Sequence, residues 1–569
     1  MNVFQAHPIA TAVLVLIAGL IGRFITTLYR QRRTFKDLPS PPLDPIWGHL
    51  KIMGKYSDLC PRGAHPHLYG HFIQKEYNLG PAFYLSSWPF GADALVIQDP
   101  ELAQQVTTQL VLPKHETLKD VIYALSGENN MLTLEGAEWK RWRSIFNPGF
   151  SAANLMTLVP GIVDSAAVFA DVLDRHAQKG DVFPLEEAAT KVTVDIIGKV
   201  VLDHSFNSQE SKNELVEAFL SQVRWTPSLL PANPLDPLNP MRPFMQRYNK
   251  WRMDRYLNRL LDERFASRAG AQSRKPRKKT VIDLALQSYL DPSEADERTR
   301  EGPSEETPQH MDPTFRSYAL DQLKLFVFAG HDTTSSTICY ALHLLSTHPA
   351  CLAAIRAEHD SVFGPDLSQT AALIKSSPHL LNALPYTLAV IREVLRLYPP
   401  ASSVRRGLPG VYLQDPKTGE KYPTDGFLVW VHALGMHRSP DLWGPDAQAF
   451  KPERFLLENA ASVPKDAWRP FEKGPRNCIG QELALLEARV ILVMTVRRFD
   501  VRAAYESLGG RKEGKRETPE GLKKWVEEGL VYDVWADEAY QQLRATAKPA
   551  EGMPVRVVRR THGSKEQRT

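Results

Sequence analysis

Residues 471–480 read Phe471-Glu472-Lys473-Gly474-Pro475-Arg476-Asn477-Cys478-Ile479-Gly480. The pattern is F-x-x-G-x-R-x-C-x-G. By average residue usage its fixed positions coincide about 10⁻⁴ times by chance in a chain this long. The residue types suit one task. Gly474 and Gly480 allow a tight turn and a close backbone approach to a flat ligand. Arg476 is a permanent cation whose fork of donors matches a carboxylate. Cys478 stands just before Ile479–Arg498, an apolar run predicted to be helical. A helix N-terminus favours thiolate over thiol. A lone cysteine here would read as a buried structural thiol, but its companions in register argue for a ligand.

Four further patterns precede this loop. Ala329-Gly330-His331-Asp332-Thr333-Thr334 lies inside the apolar segment Tyr318–Leu345, predicted to be a buried central helix. Asp-Thr-Thr is a poor choice there on propensity, and a buried Asp is costly unless paired or functional. Glu393 and Arg396 share a helix face at i, i+3, ahead of Leu397-Tyr398-Pro399-Pro400. Phe450-Lys451-Pro452-Glu453-Arg454-Phe455 comes next. Trp139 and Arg143 share a face at i, i+4 in GAEWKRWRSIF.

Taken in this order, the motifs resemble the cytochrome P-450 family, the haem-thiolate monooxygenases, from Leu38 to about Val557. The resemblance implies a mainly α fold with a small β-rich lobe near the N-terminus and a C-terminal hairpin. It makes Cys478 the axial thiolate of haem b iron, a ligand that pushes electron density toward O–O cleavage. It places Trp139, Arg143, Arg476 and one of Arg405 and Arg406 at the haem propionates, and family spacing favours Arg406. Thr333 would hydrogen-bond the oxygen being activated, and Asp332 would relay protons from water. Gly330 would leave room for oxygen by widening the helix. Glu393, Arg396 and Arg454 would form a buried charge network under the haem. Ala401–Val404, Leu325–Ala329 and part of Leu118–Leu134 would line the pocket. The exposed alternative for Lys140 and Arg141 is a face for an acidic electron donor. His331, His432 and His437 are poor axial ligands by their positions.

The chain has 569 residues, which by length alone suggests about three or four domains. The motifs must meet at one site, so one large domain, 51–569, is expected behind an anchor (1–37) and a proline-rich hinge (38–50). A net charge of +4 and a pI near 8.6 give no indication of nucleic-acid binding. Cys60, Cys339, Cys351 and Cys478 form no disulfide or zinc spacing, which fits a reducing compartment. Pro8–Leu28 is long enough for one transmembrane helix. Arg30, Arg32, Arg33 and Lys36 follow it, so the positive-inside rule puts the body in the cytosol, on a single-pass endoplasmic reticulum protein. Arg23 near the end of the span can snorkel.

Ala82–Gln98 reads as a hairpin. Trp225–Pro243 carries too many prolines for a continuous helix and falls where the family has a mobile, membrane-touching entrance loop. Arg268–Lys279 and Asp291–Asp312 read as exposed linkers. Glu506–Glu528 is a charged stretch without an assigned role. No flavin or nicotinamide module follows Cys478. Electrons are therefore expected from NADPH–cytochrome P-450 reductase, with cytochrome b5 as a second donor. The apolar pocket segments favour a lipophilic substrate, a fungal secondary-metabolite intermediate in style. A fatty-acid hydroxylase, an enzyme that rearranges without oxygen insertion, and a haem-binding sensor or carrier are the alternatives. Asp332 and Thr333 weigh against the last two.

Overall fold

The computed structural model describes residues 8–226, 239–269, 280–290, 311–508 and 517–560. Residues 227–238 of the proline-rich stretch, 270–279 of the basic run, 291–310 of the acidic run and 509–516 of the charged stretch lie outside the described residues.

Helices dominate, and the longest, Pro313–Thr347, carries the Asp332-Thr333 motif. Its start is dictated locally. The Asp312 side chain accepts from the Phe315 amide at 2.8 Å, and Pro313 occupies the first turn. Most side chains from Ala319 to Leu345 are buried, which explains a segment apolar on nearly every face. Helix Leu185–Leu202 packs along it. That contact depends on Gly330, where a Cβ would come within 2.7 Å of Ile197 Cδ1. The glycine expected to make room for oxygen therefore also lets two helices touch.

The β-rich lobe is a four-stranded sheet ordered Ala82–Leu85, Ala94–Ile97, Leu428–Val431, Ser403–Arg406. The first two strands form the expected hairpin, with Phe83 opposite Val96. The middle pair is parallel, and Arg405 lies opposite Val429 in the antiparallel last pair. A second hairpin pairs Gln541–Leu543 with Ala547–Pro549. It is tied to the central helix by Ser336 Oγ donating to the Ala547 carbonyl at 3.1 Å and by Tyr340 OH donating to that of Ala539 at 2.8 Å.

The N-terminal helix runs Pro8–Thr34, longer than the apolar span. An 18-residue window within its Thr11–Thr34 portion has a mean hydropathy of 2.0, and none of that window is buried inside the protein, as a membrane anchor requires. Its end docks on the lobe. Gln31 Nε2 donates to Ser86 Oγ at 2.6 Å and Asp93 Oδ2 at 2.7 Å, and Arg32 donates to the carbonyls of Pro45 and Ile46. The Phe24 ring lies 4.9 Å from Trp88, and Phe35 is buried against Phe427.

Behind the Cys478 loop sits a charge network. Arg396 and Glu393 are fully buried and paired twice, Nε to Oε2 and Nη2 to Oε1, each at 2.7 Å. Arg396 also donates to the carbonyls of His437, Ala447 and Ala449. Arg454 approaches Glu393 to 3.5 Å and pairs with Asp446 at 2.6 Å. His437 accepts from the Arg469 amide at 2.9 Å, and burial holds its imidazole neutral, pushed down to about 3. His432 is likewise buried and neutral, so both histidines pack the fold. Removing one partner of such a pair strands a buried charge. Glu393→Ala should therefore lower stability by about 3–5 kcal/mol, read as a shifted denaturant midpoint. A change below about 1 kcal/mol would refute the network's structural role.

Candidate active site

The Cys478 loop is closed by its own backbone: the Cys478 amide donates to the Phe471 carbonyl at 2.9 Å and that of Asn477 to Gly474 at 3.1 Å. Gly474 has φ +82°, and a Cβ there would lie 2.2 Å from the Thr107 carbonyl oxygen. This corrects one expectation. Gly474 admits the neighbouring turn Gln105–Gln109, where a flat ligand had been expected. Arg469 fastens the same junction, donating to Thr107 Oγ1 at 2.6 Å.

Cys478 lies deep, yet its side chain opens onto an apolar cavity of about 320 Å³. Helix Gln481–Thr495 follows the cysteine and contributes Leu483, Ala484 and Glu487 to the wall. The central helix contributes Ala329, Gly330, Thr333 and Thr334. The segments expected to line the pocket supply Leu325, Phe326, Ala401, Ser402, Met131 and Leu132. Thr333 Oγ1 donates to the Ala329 carbonyl at 3.0 Å, inside its own helix. Burial pushes the Cys478 thiol up, and the Gly480 amide, Arg143 and Lys114 only partly offset this. The expected bias of the helix N-terminus toward thiolate is thus outweighed by desolvation. A bound metal cation would draw off the proton.

The cations meet at one rim. Trp139, Arg143 and Arg476 line the cavity, with the Arg476 guanidinium 4.5 Å from the centre of the Trp139 ring. Arg476 donates to Glu135 at 2.6 Å and to the Leu134 carbonyl at 2.8 Å. Arg143 grips Asn477 at its carbonyl (2.8 Å) and its Oδ1 (2.9 Å), so it also braces the cysteine loop. Arg406 does not join them. It is half exposed and pairs with Glu116 at 2.5 Å. Arg405 is the buried member, and among the described residues its Nε, Nη1 and Nη2 all lack a hydrogen-bond partner. Side chains alternate faces along a strand, and the register of Ser403–Arg406 turns Arg405 inward. Burial pulls its guanidinium down to about 10, with Glu472, Arg476 and Glu135 as its charged neighbours. Lys114, which lines the cavity and is bridged to Arg405 through the backbone, is pulled down to about 7 by the same desolvation.

These features fit a haem. A buried guanidinium with three unpartnered donors suits a carboxylate, a thiol faces the cavity, and the walls are apolar. Asp332, like Arg406, departs from expectation. It does not line the cavity, and its carboxylate faces Thr546 and Lys548 of the C-terminal hairpin. Burial pushes its carboxyl up, but Lys548, His331 and Thr546 together hold it below the usual range. Lys548, Lys114 and Glu487 were not singled out by sequence reasoning, and Arg405 was named only as the less favoured of two neighbours. Lys548 lies more than 200 positions from Asp332, and no local spacing marks it.

Glu487 is buried, and burial pushes its carboxyl up to about 8, with Thr334 pulling weakly the other way. Its folded value lies above the unfolded value near 4.5. Stability associated with the neutral acid is therefore complete below about pH 4.5 and is lost as pH rises through about 8. Glu487→Gln should melt close to wild type at about pH 5 and increasingly above it toward pH 8. Parallel melting profiles would exclude a protonated Glu487.

Comparison with known proteins agrees with this geometry. The cytochrome P-450 family model matches residues 38–511. The chain is 38% identical over 554 residues to the cytochrome P-450 monooxygenase polC of Polytolypa hystricis, covering 96% of this chain and 95% of that protein. It is 37% identical to the monooxygenase acrF of Aspergillus aculeatus, covering 88% and 98%. The crystal structure of the cytochrome P-450DA haem domain superposes with a TM-score of 0.67 at 20% identity, over 92% of this chain and 98% of that one, which shows the shared fold. The chain belongs to the cytochrome P-450 family and is a haem-thiolate monooxygenase.

Proposed function

We propose that this monooxygenase inserts one oxygen atom into a lipophilic small molecule, an intermediate of fungal secondary metabolism. One observation carries the reading: the Cys478 thiol and the Thr333 hydroxyl reach the same apolar cavity, beside the buried and unpartnered Arg405. The fungal monooxygenases polC and acrF, similar over nearly the whole chain, support the metabolic setting. Hydroxylation of a fatty acid remains the second candidate reaction, since the cavity walls are equally apolar.

When bound, haem b supplies dioxygen binding, its two-electron reduction and transfer of one oxygen atom to carbon. The chain supplies the rest. Cys478 holds the iron. Arg405, Arg476, Arg143 and Trp139 orient the cofactor by its propionates. Apolar side chains from both helices keep bulk water from the substrate and strengthen every polar contact that remains. Thr333 holds a proton at its Oγ1, and Asp332 replenishes it from the side away from the cavity. Electrons come from NADPH through cytochrome P-450 reductase, with cytochrome b5 as a second donor. The protein sits in the endoplasmic reticulum membrane with residues 51–569 in the cytosol as one catalytic domain behind the 38–50 segment, a reading supported by the apolar helix within Thr11–Thr34 and the basic residues at its end.

The reduced protein with carbon monoxide should show the strongly red-shifted Soret band of thiolate-ligated haem, and Cys478→Ser should abolish it. Persistence of that band in Cys478→Ala would overturn the ligand assignment. The two adjacent arginines give a separate test. Arg405→Met should lose most bound haem on purification, whereas Arg406→Met should keep its haem-to-protein ratio. The reverse result would restore Arg406 as the propionate residue.

A further inference from the structure

Lys548 is a buried ammonium shared by two carboxylates. Its Nζ lies 3.1 Å from Asp332 Oδ1 and 3.2 Å from Glu186 Oε1. It also donates to the Asp332 carbonyl at 2.6 Å and to Ser335 Oγ at 2.9 Å. Thr546, on the same hairpin, donates to Asp332 Oδ2 at 2.6 Å. The side chains of Lys548 and Asp332 are 4% and 8% exposed, while that of Glu186 is 20% exposed and reaches solvent. Glu186 sits in the first turn of helix Leu185–Leu202, where the helix dipole favours negative charge. Thr190 Oγ1 donates to it at 3.2 Å. The titratable groups facing one another here are Asp332, His331 and Cys339 from the central helix, Glu186 from its neighbour and Lys548 from the hairpin, and burial pushes the Cys339 thiol well up. Burial keeps His331 neutral.

This arrangement solves a mechanical problem. Asp332 faces away from the cavity, and Thr333 faces into it. Asp332 must leave Lys548 to exchange a proton with Thr333. A buried ammonium stripped of its partner is strongly disfavoured. Glu186 removes that obstacle because it stays on the same ammonium from the solvent side. We propose that Lys548 and Glu186 are positioning residues that form a release device for Asp332. Lys548 holds the carboxylate away from the cavity at rest. Glu186 keeps Lys548 paired while Asp332 turns toward Thr333, then yields when Asp332 returns.

The two residues therefore act in opposite directions. Glu186→Gln leaves Asp332 as the sole counter-ion of Lys548 and tightens the grip. Lys548→Met removes the grip. The inference rests on the reading of Asp332 as a proton relay, so Asp332→Asn is the reference variant. The test uses the full-length holoenzyme with its reductase, each variant first passing the carbon monoxide band as a check of folding. Product and peroxide per NADPH oxidised are measured together with the infrared carboxyl titration of Asp332, isolated by subtracting the Asp332→Asn spectrum. Glu186→Gln should slow product formation about tenfold, matching a one-unit tightening of Asp332, and should shift the Asp332 carboxyl band to lower pH. Lys548→Met should shift the band to higher pH and divert reducing equivalents to peroxide, and Lys548→Arg should restore both.

If Glu186→Gln matches wild type in rate and in the Asp332 titration while Asp332→Asn slows turnover, the release device is refuted and the relay reading stands. If Asp332→Asn itself changes neither rate nor coupling, the relay reading falls and the inference with it. Glu186 is partly exposed, so its variant folds on ordinary grounds and keeps the test decisive even where Lys548→Met does not accumulate.

Discussion

The doubly bonded Glu393–Arg396 pair is the constraint from which the site is hung. Arg396 uses its remaining donors on the carbonyls of His437, Ala447 and Ala449, so it ties its own helix to the end of helix Ala433–His437 and to the loop that carries Ala447 and Ala449. His437 then receives the Arg469 amide, Arg469 grips Thr107, and the Thr107 carbonyl seats Gly474. Four short links thus run from a buried ion pair to the turn that presents Cys478. A buried pair of this kind adds little net stability against an apolar replacement, but it specifies one geometry. Here that geometry fixes where the sulfur points.

The cavity is electrically asymmetric. One rim gathers Lys114, Arg143 and Arg476 with Arg405 buried beside it, and burial draws Lys114 and Arg405 below their ordinary values. Such a rim is poorly satisfied by protein alone, since Glu135 answers Arg476 but, among the described residues, nothing hydrogen-bonds the Arg405 guanidinium, for which Glu472 is only a charged neighbour. An anionic group at that edge completes it. Away from the rim the cavity offers little beyond hydroxyls and the Glu487 carboxyl, which burial keeps protonated near neutral pH. A lipophilic guest therefore meets no competing charge, and orientation falls to shape and the few hydroxyls.

Much of this was legible because the informative residues are close in sequence and bound by local periodicity. Trp139 and Arg143 share a helix face, Cys478 and Arg476 share a loop, and the 35-residue central helix announces itself by its apolar length. The sequence reading failed where two neighbours compete or where distant segments meet. Arg405 and Arg406 are equivalent until strand register decides which faces inward. Gly474 looked like a ligand contact because the turn at Gln105–Gln109 that fills its space lies more than 360 positions away. Lys548 and Glu186 belong to an ordinary strand and an ordinary helix start, and only tertiary packing brings them to Asp332.

The docking of the anchor helix on the hairpin has a practical and a mechanical side. Gln31, Arg32 and Phe35 belong to the folded body as much as to the membrane span, because Ser86, Asp93 and the Phe427 ring are their partners. A chain shortened to residue 38 would leave a polar notch and an apolar socket open on the β-rich lobe, inviting self-association of a protein meant to be soluble. A cut just after the apolar span, near Tyr29, keeps both filled. In the intact molecule the same contacts turn the anchor from a tether into a bracket. The angle between helix and lobe becomes a property of the fold, so the bilayer holds the body in a defined tilt instead of merely keeping it nearby.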